Sequence, residues 1–262
     1  MSAYKNPIPT IDDEDNNINA SQTENQSELQ YDLIEPIYFV FIDILGFKKT
    51  YDDNRNKEGK EFADDYKAVF NYYFDLINAS NLIRPEFLEN YAGQTSDSLY
   101  FYTSRPDHLL QFIKIFSHLN MFAMSKNIFF RGGIAKGSLF RKEPYQFYGD
   151  SVIYAYLIES VIAKNPVIYI DKNSYEDIIK NNSNEYDHLF GIKNSRYYIE
   201  PFIWFEENNC INLEALLSDS IELKEIDKNE IKNVIEKNLQ VFEYDGRNFD
   251  KYVFLINALN KK

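Results

Sequence analysis

The sequence predicts an α+β fold, a mostly antiparallel sheet with helices on one face, followed by a C-terminal α/β extension. Three observations carry this. The run Ile37 to Ile42 is apolar throughout and reads as a buried strand. Two later stretches repeat apolar residues at helical spacing, and short segments rich in aromatic and β-branched residues lie between and after them. The 262 residues are 44% apolar and 16% aromatic, ample for the core of one large domain.

The elements follow in order. After the first strand, "GFKKTYDDNRNKEGK" is polar enough to be a loop, and Phe62, Tyr66, Val69, Phe70, Tyr73 and Ile77 then recur as one helical face. "NLIRP" closes that helix, because Pro85 disfavours its continuation. "EFLENYAG" and "SDSLYFYTS" are expected to form a β-hairpin with Gly93 in its turn. Pro106 opens a second helix with Leu109, Phe112, Ile113, Phe116, Leu119 and Ala123 on one face. The glycines of "NIFFRGGIAKGSLF" permit a bulge or the close approach of another backbone to the next strand. A helix from Ser151 to about Lys164 is expected to bury Val152, Ala155, Ile158 and Ile162, and "PVIYID" is a strand. The first six elements run β-α-β-β-α-β, the order of the ferredoxin-like split βαβ arrangement.

Residues 1–35 are acidic and polar with few apolar residues, and are expected to be a disordered tail. Residues 36–180 form the main domain. Residues 181–262 are an extension that packs on the core or on a partner, with "RYYIEPFIWFEENN" a strand pair or arm, "DKNEIKNVIEKNL" a helix, and "NFDKYVFLINALN" a closing helix. The formal charge of −13 argues against a sequence-independent grip on nucleic acid, which depends on cations neutralising phosphates. The single cysteine, Cys210, rules out an internal disulfide and a thiolate cluster, and His108, His118 and His188 show no ligand spacing. No window approaches the length of a membrane span and the start has no apolar leader, so the expectation is a cytoplasmic protein without a membrane partner.

The chemistry centres on Asp43, which interrupts an apolar run, "IYFVFIDILGFKKTY". A carboxylate there must be paired, hydrogen-bonded or metal-bound. In the split βαβ arrangement the end of the first strand and the hairpin turn can share one edge of the sheet, which brings Asp97 toward Asp43. Two carboxylates with the Ile44 carbonyl offer hard oxygen ligands for Mg²⁺ or Mn²⁺. Taken singly, each aspartate also fits a bland role, a strand-end cap or a Ser-Asp-Ser turn.

"FIDILGF", "SDSLYFY", "RGGIAKG" and "FYGDSVIYAYLIESVIAKNPVIYI" occur in the order and approximate spacing of the motifs of class III nucleotidyl cyclases, the adenylate and guanylate cyclase homology domain. The resemblance covers roughly residues 37–178. It implies that Asp43, Ile44 and Asp97 hold two divalent cations, Mn²⁺ or Mg²⁺, that Asp43 and Asp97 serve catalysis, and that Ile44, Gly46, Phe47, Gln94 and Gln146 contact the nucleotide; Arg131 is added to the catalytic set and Lys136 to the nucleotide contacts as replacement donors. It also implies a head-to-tail homodimer. The chain departs from the family where an asparagine and an arginine stabilise the transition state: Ile153 and Leu157 stand there and donate no hydrogen bond. The base-reading places hold Gly93 or Gln94, and Gln146, none of them charged. Arg131 and Lys136, then Arg141, Lys142 and Lys172, are the candidate replacement donors, with Lys48 and Lys49 as further phosphate contacts or surface charges. Tyr148, Tyr154 and Tyr156 can stack on a base, although core packing is the favoured reading.

In architecture and altered base-reading positions the chain resembles the Pycsar antiphage cyclases, which make cyclic UMP or cyclic CMP. The implied activity is conversion of a nucleoside triphosphate, UTP or CTP, to its 3′,5′-cyclic monophosphate and pyrophosphate, read by a separate cyclic-nucleotide-responsive effector. The alternatives are a degenerate cyclase-like binding or scaffold module, and a purine cyclase.

Overall fold

The computed structural model describes residues 31–47, 60–83, 90–182, 186–205, 212–218 and 221–262. The expected tail up to residue 30, Lys48, Lys49, Pro85 and Cys210 lie outside the described residues. Along the chain run β1 (Asp32–Ile44), α1 (Lys60–Ala79), β2 (Tyr91–Thr95), β3 (Ser98–Thr103), α2 (Pro106–Ser125), β4 (Phe130–Glu143), β5 (Gln146–Tyr148), α3 (Asp150–Leu157), β6 (Ile168–Ile170), α4 (Lys172–Asn182), β7 (Phe190–Lys193), β8 (Arg196–Ile199), α5 (Lys228–Val241) and α6 (Gly246–Leu259). Helix α3 continues directly into a π-helical turn, Ile158–Ile162.

One sheet, ordered β2-β3-β1-β4-β6-β8-β7 with β5 on β4, contains all the strands among the described residues. Its first four members have the split βαβ order, and β4 with β6 is the one parallel pair among the described strands. This is the α+β, mostly antiparallel architecture read from the sequence. Strand β1 begins earlier than the tail boundary implied: Asp32 and Leu33 pair with Arg141 and Phe140, because the long β4 extends far enough to receive them. Strands β7 and β8 extend the same sheet through β6, so the chain beyond residue 181 completes the layer it was expected only to cover.

Alternate residues of β1 face two different cores. Tyr38, Val40, Ile42 and Ile44 join α1, α2 and α4 on one face, while Ile37 and Phe39 join Tyr100, Tyr102, Ala135, Leu139 and Ala155 on the other. Helices therefore cover both faces of the sheet, which corrects the one-faced expectation. The reason lies in the glycines of β4: a Cβ on Gly133 would overlap the Ala155 carbonyl oxygen, so α3 can lie on the strand only because no side chain is there. The hairpin also differs from its expectation. Gly93 sits inside β2 opposite Tyr100, whose ring occupies the space a Cβ would need, and the turn is made by Ser96, at φ 56°, and Asp97.

Helix α2 is buried almost all round, from His108 to Met124, whereas its sequence shows one clear apolar face. Its second side is closed by the C-terminal helices: Met121 and Met124 pack with Phe129 against Ile231, Ile235, Tyr252, Leu255 and Leu259. Asp227 and Asp245 cap these two helices, their carboxylates accepting from the backbone N–H groups of Asn229 at 2.8 Å and Asn248 at 3.4 Å. On α3 and its π turn only Ala155 of the four expected core residues is fully buried; Val152, Ile158 and Ile162 are half-buried.

Candidate functional site

Strand pairing builds the site. The antiparallel registers set Asp43 opposite Ser98 on β3 and opposite Arg131 on β4, so three strands deliver polar groups to one edge of an otherwise apolar sheet. Ser98 Oγ donates to Asp43 Oδ1 at 3.4 Å, and Arg131 Nη2 donates to Asp43 Oδ2 at 3.3 Å. Asp97 precedes Ser98 in the hairpin turn, near enough that its charge acts on Asp43. Burial raises the Asp43 carboxyl, Asp97 raises it further, and the Arg131 guanidinium pulls it back. Tyr66 of α1, stacked on Phe70, lies under the same field: burial first, then Asp97 and Asp43, hold its phenol well above the usual range.

Glu159 completes this cluster and was missed by sequence reasoning. It sits in the π turn, 3% exposed, with Oε1 2.7 Å from Arg131 Nη2. The contact is a close ion pair that does not align as a hydrogen bond, and among the described residues Arg131 Nε and Glu159 Oε1 have no hydrogen-bond partner. Burial raises the Glu159 carboxyl, while Arg131 opposes the rise. The available signal was an acid within the apolar stretch "YLIESVIA". Glu159 also follows Ala155 by four residues and Val152 by seven, so a regular helical register already sets it on the face expected to be buried.

The predicted residues divide into two groups. Asp43, Asp97, Arg131, Ile44 and Gly46 share the edge. The Ile44 side chain is buried, which leaves only its carbonyl oxygen to serve as a ligand, and Gly46 turns the chain away at φ 76°. Gln94 is close by in the hairpin, its amide donating to the Ser96 carbonyl at 2.9 Å, and Phe47 packs its ring on Tyr66 with centroids 5.0 Å apart. Lys136 and Gln146 are not at this edge. Lys136 lies five residues along β4 from Arg131, roughly 16 Å of extended chain; it donates to Asp177 at 2.6 Å, and Asp177 also accepts from Tyr38. Gln146 pairs with Glu143 at the far end of β4. Lys172 makes an exposed pair with Glu176, and Arg141 lies opposite Asp32. The tyrosines overturn the core reading: Tyr148, Tyr154 and Tyr156 are all more than half exposed, with Tyr148 stacked on Phe140 and Tyr156 edge-on to Phe41. Their sequence context could not reveal that α3 turns most of its apolar residues outward.

The donor set at the edge suits a hard divalent cation. It offers carboxylate and carbonyl oxygens with neither imidazole nor thiolate, and the repulsion that raises Asp43 is the repulsion a cation relieves. Among the described residues no group of three or more His, Cys, Asp or Glu forms a closed cage, so a cation here depends on substrate and water for its remaining ligands.

No family model matches the chain, and no curated protein matches it. Among solved structures it is similar to the guanylyl cyclase domain of the RhoGC fusion protein from the aquatic fungus Blastocladiella emersonii, at 17% identity and a TM-score of 0.46 over 65% of this chain and 97% of that one. It is similar to an adenylate cyclase from Trypanosoma brucei, at 13% identity and a TM-score of 0.47 over 64% of this chain and 89% of that one. It is also similar to the adenylyl cyclase CyaB from P. aeruginosa, at 12% identity and a TM-score of 0.45 over 64% and 95%.

Proposed function

We propose that the chain is a metal-dependent nucleotidyl cyclase that converts a nucleoside triphosphate, UTP or CTP, to the 3′,5′-cyclic monophosphate and pyrophosphate. The observation that carries the reading is the pairing of Asp43 and Asp97 at one sheet edge within the cyclase-like motif order, where two carboxylates are costly without a cation. Divalent cations held there supply Lewis acidity toward the ribose 3′-oxygen and the phosphates. Asp43, Asp97 and the Ile44 carbonyl hold and orient them. The 3′-oxygen bonds to the α-phosphorus as its proton leaves to solvent, and the bond to the pyrophosphate oxygen breaks. Arg131 is shared between Asp43 and Glu159, offsetting part of their combined charge, and is the donor at this edge that could meet the phosphates.

Gln94, the base-reading candidate near the edge, is uncharged, which supports a pyrimidine over the purines. The homodimer is supported by the exposed apolar side chains of α3, including Ile153, Tyr154, Tyr156 and Leu157. A second messenger of this kind requires a receptor, and the resemblance to antiphage systems supports a separate effector in bacterial defence. The second reading, a cyclase-like binding module, is favoured by Ile153 and Leu157, which leave the family's transition-state donors unreplaced on α3. Incubation with Mn²⁺ and each of ATP, GTP, CTP and UTP, with product masses read by mass spectrometry, separates the readings. Cyclic UMP or cyclic CMP that disappears in Asp43→Ala and Asp97→Ala is the expected result. Cyclic AMP or cyclic GMP would overturn the pyrimidine assignment, and no product from any triphosphate would favour the binding module.

A further inference from the structure

A cavity of about 830 Å³ lies between the end of the π turn, the β7-β8 hairpin and α6, built from elements other than those that carry Asp43 and Asp97. In a chain of formal charge −13 it concentrates Lys164, Lys193, Arg196, Arg247, Lys251 and Lys261, against the carboxylates of Glu200 and Asp250. Among the described residues none of these six cations forms an ion pair. Three of them make neutral contacts: Lys251 donates to the Asn248 side chain at 2.8 Å, Lys164 to the Ser160 carbonyl at 3.4 Å, and Lys193 lies 4.4 Å over the Phe254 ring. Glu200 accepts from Tyr198 at 3.2 Å. Burial, and then the charges of Arg247, Arg131 and Lys164, push the Lys251 ammonium below its ordinary value. Six cations lining one cavity with these two carboxylates leave an excess of positive charge that an anion stabilises, and the volume falls within the range of small-molecule pockets.

We propose that this cavity binds a phosphorylated small molecule through two or more adjacent phosphate groups. Several cations converging on a concavity match clustered phosphate charge, and Arg196 and Arg247 offer the planar fork that binds phosphate oxygens in pairs. A long nucleic acid is the poorer fit, since the basic residues gather in one hollow of an acidic surface. The site also has a route to the sheet edge: the π turn that lines it with Val161 and Ile162 carries Glu159, the partner of Arg131. The site stands independently of the cyclase reading, because neither Asp43, Asp97 nor Arg131 lines the cavity.

The test is calorimetric titration of the full chain with inorganic tripolyphosphate in EDTA, where no divalent cation can recruit phosphate to the carboxylate pair. Saturable binding is expected, weakened at least about tenfold in Lys193→Gln/Arg247→Gln, as expected when charge-assisted contacts are removed. It should be unchanged in Asp97→Asn and in Lys180→Gln/Lys232→Gln, which makes the same change in net charge elsewhere. Circular dichroism confirms that each variant is folded. ATP and UTP titrated in parallel identify the source: binding tighter than tripolyphosphate assigns a nucleotide, and equal binding assigns the phosphate chain alone. The proposal is overturned by no saturable binding below about 1 mM, by equal losses in the two double variants, by loss in Asp97→Asn, or by a short single-stranded RNA that binds more tightly than every phosphate probe.

Discussion

Glu159 reaches Arg131 across a sequence gap of 28 residues and lies 2.7 Å from its Nη2, the same nitrogen that contacts Asp43 at 3.3 Å. A carboxylate 3% exposed thus positions the cation that balances the candidate metal ligand. Arg131→Ala leaves Glu159 buried without a counter-charge, and breaking such a pair costs about 3–5 kcal/mol. Glu159→Gln keeps the shape and removes the charge, for about 1–3 kcal/mol. Urea midpoints at neutral pH check both values. A loss under about 0.5 kcal/mol in Arg131→Ala, the level of an ordinary surface substitution, would show the pair to be screened by water.

Gly133 makes a second contact that its sequence position conceals. An added Cβ would overlap the Ala155 carbonyl and crowd Ile158, so Gly133→Ala must push α3 and its π turn off β4. The expected loss is about 1–3 kcal/mol, the range of core overpacking, read as a drop in thermal midpoint. Gly246, at the start of α6, has open space where its Cβ would be. Gly246→Ala should leave stability unchanged or raise it by up to about 1 kcal/mol. Similar losses at the two glycines would refute the close approach of α3 to the strand.

Much of this architecture was legible because it is written locally. The apolar run of β1, the helical faces of α1 and α2, and the break at Asp43 are each contained within a short window, and the split βαβ order brings Asp97 to Asp43. What escaped depends on partners distant in sequence. Gly93 resembled a turn residue until Tyr100 was found to fill its missing side chain. The second buried side of α2 is set by helices more than a hundred residues later. Glu159 shares the helical face of Val152 and Ala155, but its counter-charge, Arg131, lies 28 residues earlier on another strand, so its role as a buried ion-pair partner is not written locally. The tyrosines of α3 read as core because aromatic residues are usually buried, whereas here the strand glycines draw the helix backbone down and leave those rings outside.

Burial pushes His118 down to about 4. Tyr72 accepts from the Lys224 backbone N–H at 3.0 Å and its hydroxyl pairs with His118 Nε2, also at 3.0 Å, so the buried ring has a polar partner in its neutral form. The folded-state value lies below the ordinary 6.5. Between the two, the unfolded chain binds a proton that the folded chain refuses, so the contribution is fully present above 6.5 and is lost as pH falls toward 4. The shift corresponds to roughly 3 kcal/mol. Urea midpoints followed from neutral to acid pH should fall more steeply for the native chain than for His118→Leu, by the slope of one proton. Parallel curves would mean that His118 titrates normally in the folded state.

The exposed face of α3 bears on assembly. Ile153, Tyr154, Tyr156 and Leu157 are 44–55% exposed, and Val161 of the π turn is 60% exposed, on an element whose other side is pinned to β4. A helix cannot turn those residues inward while Gly133 holds its backbone to the strand, so burial of the patch requires another surface. A self-complementary two-fold contact is the simplest that a single chain can provide. Leu157→Glu should therefore yield a monomer in sedimentation equilibrium, with a thermal midpoint close to that of the native monomer, since a surface substitution changes stability by only about 0.5 kcal/mol. If association is needed for the proposed reaction, the same variant should lose product formation along with association. Loss of association with full activity retained would place the reaction within one protomer. Unchanged association at Leu157→Glu would show that the dimer, if formed, uses another face, and that these residues await a different partner.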